Sequence, residues 1–231
     1  MKKLLSLILV GIMMLSSISV FATEKAVASD NIIGGTPVAF ETEASELVSL
    51  GILKGDPDGN LRLDDVITRA EATALITRMN ANYNDILKDY IYRPTFDDVE
   101  NHWAAKEITF AHENALVGGI SETTFEPDKN VTAQEFLKMI VCLLGYKEAA
   151  EKKAPDYIGY ILQASQSGIT KDVPLITDKP LTRRQAVKII CNSLDVPLMK
   201  QSGFGANTEY IVMDGKNGVP LETFRTIWEA K

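Results

Sequence analysis

Three stretches, Ile67-Thr68-Arg69-Ala70-Glu71, Val131-Thr132-Ala133-Gln134-Glu135 and Leu181-Thr182-Arg183-Arg184-Gln185, share one pattern. Each is a branched apolar residue, a threonine, two variable residues, then Glu or Gln. This is a helix-start capping box. The threonine hydroxyl accepts from the backbone N–H three residues on, and the Glu or Gln side chain reaches back to the threonine's own N–H. The residue before each threonine can staple onto the first turn: Ile67 on Ala72, Val131 on Phe136, Leu181 on Ala186.

Downstream the copies stay in step. Leu75, Met139 and Ile189 follow the threonines by seven residues, and Ile76, Ile140 and Ile190 by eight. Met79, Leu143 and the more polar Ser193 follow by eleven. These positions lie on one helical face, so each copy ends in an amphipathic helix packed on a shared core. Upstream, Gly51-Ile52-Leu53, Asn114-Ala115-Leu116 and Gly168-Ile169-Thr170 precede the threonines by 17, 18 and 14 residues. Gly or Asn there reads as a helix C-terminus that needs a left-handed residue. Eleven residues before those points stand Phe40, Trp103 and Tyr157.

Three copies of helix, C-cap, turn-rich loop, capping box and helix predict an all-α fold of three helix-loop-helix repeats. The expected limits are 39–80, 95–146 and 147–200, with a connection at 81–94 that has apolar residues of its own. A short C-terminal extension, 201–231, reads as a linker over Gln201–Asn207, a strand over Glu209–Asp214 and a helix over Leu221–Ala230. It is too short to fold alone.

The N-terminus sets the compartment. Lys2 and Lys3 precede an uncharged apolar run from Leu4 to Ala22, the pattern of a secretory signal. Cleavage fits after Ala22 or after Ala28, and the first is preferred, leaving a leader over 23–38. An uncleaved anchor is the rival reading. No later segment is apolar for long enough to span a membrane, so none is expected after cleavage. Removing residues 1–22 leaves 22 Lys and Arg against 31 Asp and Glu. Such an acidic chain is no general binder of nucleic acid. Cys142 and Cys191 lie in apolar runs and read as buried thiols. Two histidines and no Cys-x-x-Cys leave no basis for a zinc site.

Phe96-Asp97-Asp98-Val99-Glu100-Asn101-His102-Trp103-Ala104 resembles the opening motif of the S-layer homology domain. Gly51 to Asn60, followed by Ile67-Thr68-Arg69-Ala70-Glu71, resembles the second half of that domain. The resemblance covers about residues 40–200. It implies a pseudo-threefold helical bundle and non-covalent attachment to secondary cell-wall polysaccharide, often pyruvylated, at the surface of Gram-positive-type bacteria. It implies no enzyme activity and no cofactor. The chain also departs from the pattern. The first copy lacks the Phe-x-Asp-Val…His-Trp opening, the third keeps only Tyr157 of it, and the second has Ala133 where the family has arginine. The inter-repeat grooves should therefore be unequally competent.

Arg69 and Arg183 stand at the first helical position, where the dipole favours acids. An arginine beside free backbone N–H groups suits a polymer carboxylate or phosphate. The plainer reading pairs them with Asp64, Asp65 or Asp178, and with the resemblance, ligand contact is favoured. Lys54 and Lys171 can add charge to the same grooves, or simply be solvated. Trp103 reads as core packing, as a groove wall, or both, and Asp98 as a cap for a helix beginning near His102. Asp56-Pro57-Asp58-Gly59-Asn60 misplaces the glycine of an EF-hand loop, so no metal is expected. Glu107 and Glu113 lack a second acid for hydrolysis. Three functions stay open: a wall-binding or surface-layer-associated protein, the anchor of a larger secreted enzyme, and a helical protein-binding adaptor.

Overall fold

The computed structural model describes residues 37–231, with side chains from residue 41 onward. The expected signal sequence, nearly all of the expected leader and the Phe40 side chain lie outside the described residues. The fold is mostly helical: α1 (Pro37–Ser49), α2 (Arg69–Arg78), α3 (Tyr83–Lys88), α4 (Ala105–Glu113), α5 (Ala133–Leu143), α6 (Lys147–Glu151), α7 (Asp156–Gln166), α8 (Arg183–Leu194) and α9 (Phe224–Glu229). The two short strands β1 (Met199–Ser202) and β2 (Glu209–Val212) pair antiparallel. No helix among the described residues is long and apolar enough to cross a membrane.

All three capping boxes form. Thr68, Thr132 and Thr182 accept from Glu71, Glu135 and Gln185 N–H, and those side chains return the bond. Ile76, Ile140 and Ile190 are fully buried in one core that all the copies share.

The stretches that open the boxes are joined to one another. Ile67 N–H donates to Leu181 O, Leu181 N–H to Val131 O and Val131 N–H to Ile67 O, each at 3.0 Å. Three equivalent residues thus close a buried ring of backbone hydrogen bonds. Outside it runs a second cycle, from Arg69 N–H to Lys129 O, Ala133 N–H to Lys179 O and Arg183 N–H to Asp65 O. These first-turn N–H groups have no partner within their own helix, and the neighbouring copy's loop supplies one. The first helix of each copy packs on the second helix of the copy before it. α4 lies on α2 and α7 on α5, and α1 lies on α8 to complete the circle.

In the second copy the left-handed residue is Ala115 (φ 56°), not Asn114 (φ −92°). Asn114 instead turns its side chain back to Phe110 O. The equivalent residues are Gly51, Ala115 and Gly168, which makes the first two loops equal at 17 residues. Asp98 caps no helix either. Its carboxylate accepts from Phe125 and Glu126 N–H at 2.7–3.2 Å, pinning the loop that leads into the second box. The Asp56 carboxylate is committed to the N–H groups of Asp58 and Asn60, which makes the acidic stretch a turn.

The connection lies along α4. Tyr83 and Tyr90 donate to Glu107 and Glu113, and the Tyr90 ring meets Phe110 edge-on. The C-terminal segment crosses back to the first copy. Trp228 Nε1 donates to Met79 O, Arg225 pairs with Asp195 and Glu46, and the Lys231 ammonium reaches Ala81 O. The expected linker residues Gln201 and Ser202 belong to β1.

Candidate functional site

The cyclic packing forms clefts where three copies meet. One, groove A (about 190 Å³), is lined by Lys54, Gly55, Glu71, Arg78, Trp103 and Arg183. Groove B, about 570 Å³, has Gly118, Gly119, Glu135, Cys142, Tyr157 and Arg69 at matching places, with Lys138, Lys147 and Glu151 besides. In an acidic protein, both clefts gather cations.

Each cleft is organised by an arginine from a different copy. Arg183 donates through Nε to Leu61 O (2.8 Å) and through Nη2 to Lys54 O (2.9 Å), with Nη1 3.4 Å from Glu71. Arg69 repeats this with Phe125 O (2.9 Å), Gly118 O (2.8 Å) and Glu135 (3.5 Å). It also lies over the Phe125 ring. Neither arginine pairs with an aspartate side chain. Neither is free of packing: Arg69 is 5% exposed, and burial lowers the pKa of Arg183. Both guanidinium groups line their clefts while bracing the loops that form them.

The capping acids have two jobs. One Glu71 oxygen accepts the Thr68 N–H and the other faces Arg183. Glu135 divides likewise between Thr132 and Arg69. At the third corner the arginine is replaced by Ala133, which is buried, and the acid by Gln185. Gln185 keeps the cap through its oxygen, and its amide nitrogen donates to Pro174 O. Ala133 and Gln185 thus depart together, and no carboxylate is left facing a missing cation. Lys188, the counterpart of Lys138 there, is ion-paired with Glu43.

The other sequence-predicted residues divide. Lys54 is exposed and lines groove A, where its carbonyl holds Arg183. Lys171 is exposed and lines neither groove; its carbonyl accepts from Asn192. Trp103 is 59% exposed on the wall of groove A, so it does not pack in the core. Cys191 is buried with its thiol pushed up to about 12 by burial, whereas Cys142 is half-buried and faces groove B. The sequence marks Glu71 and Glu135 only as capping acids, and gives Lys138 and Arg78 no place in the site. The box acids carried a signal, since a capping carboxylate leaves one oxygen unused.

Residues 34–73 and 95–137 match the model of the S-layer homology domain. Two of the three copies are thus similar to the S-layer homology domain. It is 29% identical over 172 residues to the middle cell wall protein of Brevibacillus brevis, a match covering 74% of this chain and 16% of that protein. It is 29% identical over 180 residues to the surface layer protein of Brevibacillus choshinensis, covering 76% and 16%. With the cellulosome-anchoring protein of Acetivibrio thermocellus it shares 40% over 86 residues, covering 36% and 19%. The chain therefore spans less than a fifth of the length of each of these relatives.

Proposed function

We propose that this protein is a non-catalytic anchor. It holds to the bacterial cell surface by binding secondary cell-wall polysaccharide in grooves A and B. The observation that carries this reading is the pair of like-built, cation-gathering grooves within repeats whose family and relatives are of the cell surface. An anionic substituent, of which a pyruvyl ketal is one form, suits clefts lined by Arg183, Lys54 and Arg78 or by Arg69 and Lys138. Trp103 and Tyr157 offer ring faces to sugar. Lys171 is left out of the binding set. The whole ring of residues 39–80, 95–146 and 147–200 is read as a pseudo-threefold bundle with two competent grooves. The third lacks both arginine and acid.

The experiment is co-sedimentation of the full chain with purified wall sacculi, before and after extraction of the secondary polysaccharide. Retention on native sacculi and release from extracted ones supports the anchor. Equal retention on both would overturn it. A second reading is favoured by the chain's small share of its relatives' length: the same repeats tether a larger surface protein or secreted enzyme.

A further inference from the structure

Groove B does not stop at its arginine. A second compartment of about 410 Å³ adjoins it, lined by Lys138, Glu151, Ala154, Pro155, Asp156, Tyr157 and Tyr160. Lys138, Glu151 and Tyr157 line both spaces. The compartment is built by α6, for which the first-to-second connection has α3 instead. Gly159 lets α6 and its following turn sit hard against α7, since a Cβ there would lie 2.2 Å from Ala150 O. That contact brings Glu151 to the Tyr160 hydroxyl, which donates to it at 2.7 Å. Lys138 Nζ sits 5.3 Å from the Tyr160 ring centre and 5.8 Å from that of Tyr157. Tyr157 is half-buried. Asp156, exposed at the mouth, is held at φ +54°, a conformation an aspartate adopts only at a cost.

The two ends differ in chemistry. Arg69 lies at one and the exposed Asp156 carboxylate at the other, with Lys138, Glu151 and Tyr157 shared between them. Carboxylates accept from hydroxyl or amide donors and repel a second anion. A ring face takes the C–H face of a pyranose. We propose that groove B with its annex holds two consecutive sugar units. The anionic unit lies at the Arg69 end, and an uncharged, hydroxyl-rich unit lies against Tyr157 and Asp156. This rests on the polysaccharide-binding reading above and adds which length and charge pattern the groove takes.

The test uses the full chain with 13C-methyl methionine. Met139 lines groove B, and no methionine lines groove A, so its methyl signal reports this groove alone. The probes are size-fractionated mono- and disaccharides released from sacculi of a surface-layer-bearing bacterium. Wild type should bind the disaccharide about tenfold more tightly than the anionic monosaccharide, the gain from a hydrogen bond to a charged group. Asp156→Gly and Asp156→Asn should lose that advantage and keep the monosaccharide affinity, since Asp156 lines the annex and not groove B. Asp156→Gly also relieves the left-handed strain, so its loss cannot come from poor folding. Equal affinity for the two sugars in wild type, or an undiminished preference in both variants, overturns the proposal. Failure of both sugars to move Met139 would overturn the polysaccharide reading of groove B with it.

Discussion

The Arg69 guanidinium, at the start of α2, lies 3.5 Å from the Glu135 carboxylate at the start of α5. That pair joins two copies of the repeat, and Arg183 with Glu71 joins two others. Each arginine also ties down two carbonyls of the loop it abuts. Removing either leaves one carboxylate oxygen and those two carbonyls without the guanidinium. Breaking such a pair from one side costs more than the pair contributes.

Arg69→Ala should therefore destabilise the protein by roughly 3–5 kcal/mol, as expected when the buried partner of an ion pair is removed. Arg183→Ala, a little more exposed, should cost roughly 2–3 kcal/mol. Adding Glu135→Gln to Arg69→Ala should recover part of the loss, because it copies the Ala133 and Gln185 corner. Urea denaturation monitored by helical circular dichroism measures all three. Two arginine variants as stable as wild type would contradict the bracing role.

The converse experiment is at the third corner. Ala133→Arg alone forces a cation into a buried site that faces no acid, and should cost roughly 1–3 kcal/mol. Paired with Gln185→Glu, it should regain most of that stability. The same denaturation series checks it, and an equal loss in single and double variants would refute the coupling.

The capping boxes could be read from the chain because their chemistry is local, running from one residue to the third beyond it. The apolar positions behind them were equally plain, and Ile76, Ile140 and Ile190 are all buried. The arginines' partners were not legible. Arg69 and Glu135 are 66 residues apart, and only the ring of Ile67, Val131 and Leu181 brings their copies together. The slip at Asn114 arose because Gly and Asn are merely favoured in left-handed positions. At Ala115 an exposed alanine takes that conformation, and the turn closes through Ala115 N–H to His112 O and Leu116 N–H to Ala111 O. Asp98 was misread for the same reason as the arginines, since its partners Phe125 and Glu126 lie in another loop.

Alkaline stability should report on Cys191. Burial raises its thiol pKa from the ordinary value of 9.0 to about 12, so the folded chain holds a proton that the unfolded chain gives up. The stabilising contribution is whole below about pH 9 and is lost as pH climbs toward 12. Tyr83, also raised to about 12, acts in the same direction. Cys191→Ala should lose stability less steeply than wild type between pH 9 and 11, whatever its offset at neutral pH. Denaturation midpoints across that range decide it, and parallel slopes would rule out a buried thiol.

Fluorescence can watch groove A. The chain has two tryptophans; Trp228 is half-buried against Met79 O, and Trp103 stands on the groove wall. Trp228→Phe should leave one emitter with a solvent-exposed spectrum, and wall polysaccharide should shift or quench it. Unchanged emission under conditions of proven binding would remove Trp103 from the site.

The central claim is that two of three corners bind, because Ala133 and Gln185 replace the arginine and its acid at the third. Isothermal titration of the full chain with short, size-fractionated wall polysaccharide tests it most directly. The account predicts two sites per chain, weakened as salt rises because charge carries part of the attraction. Three equal sites, or heat no greater than that of dilution, would contradict it.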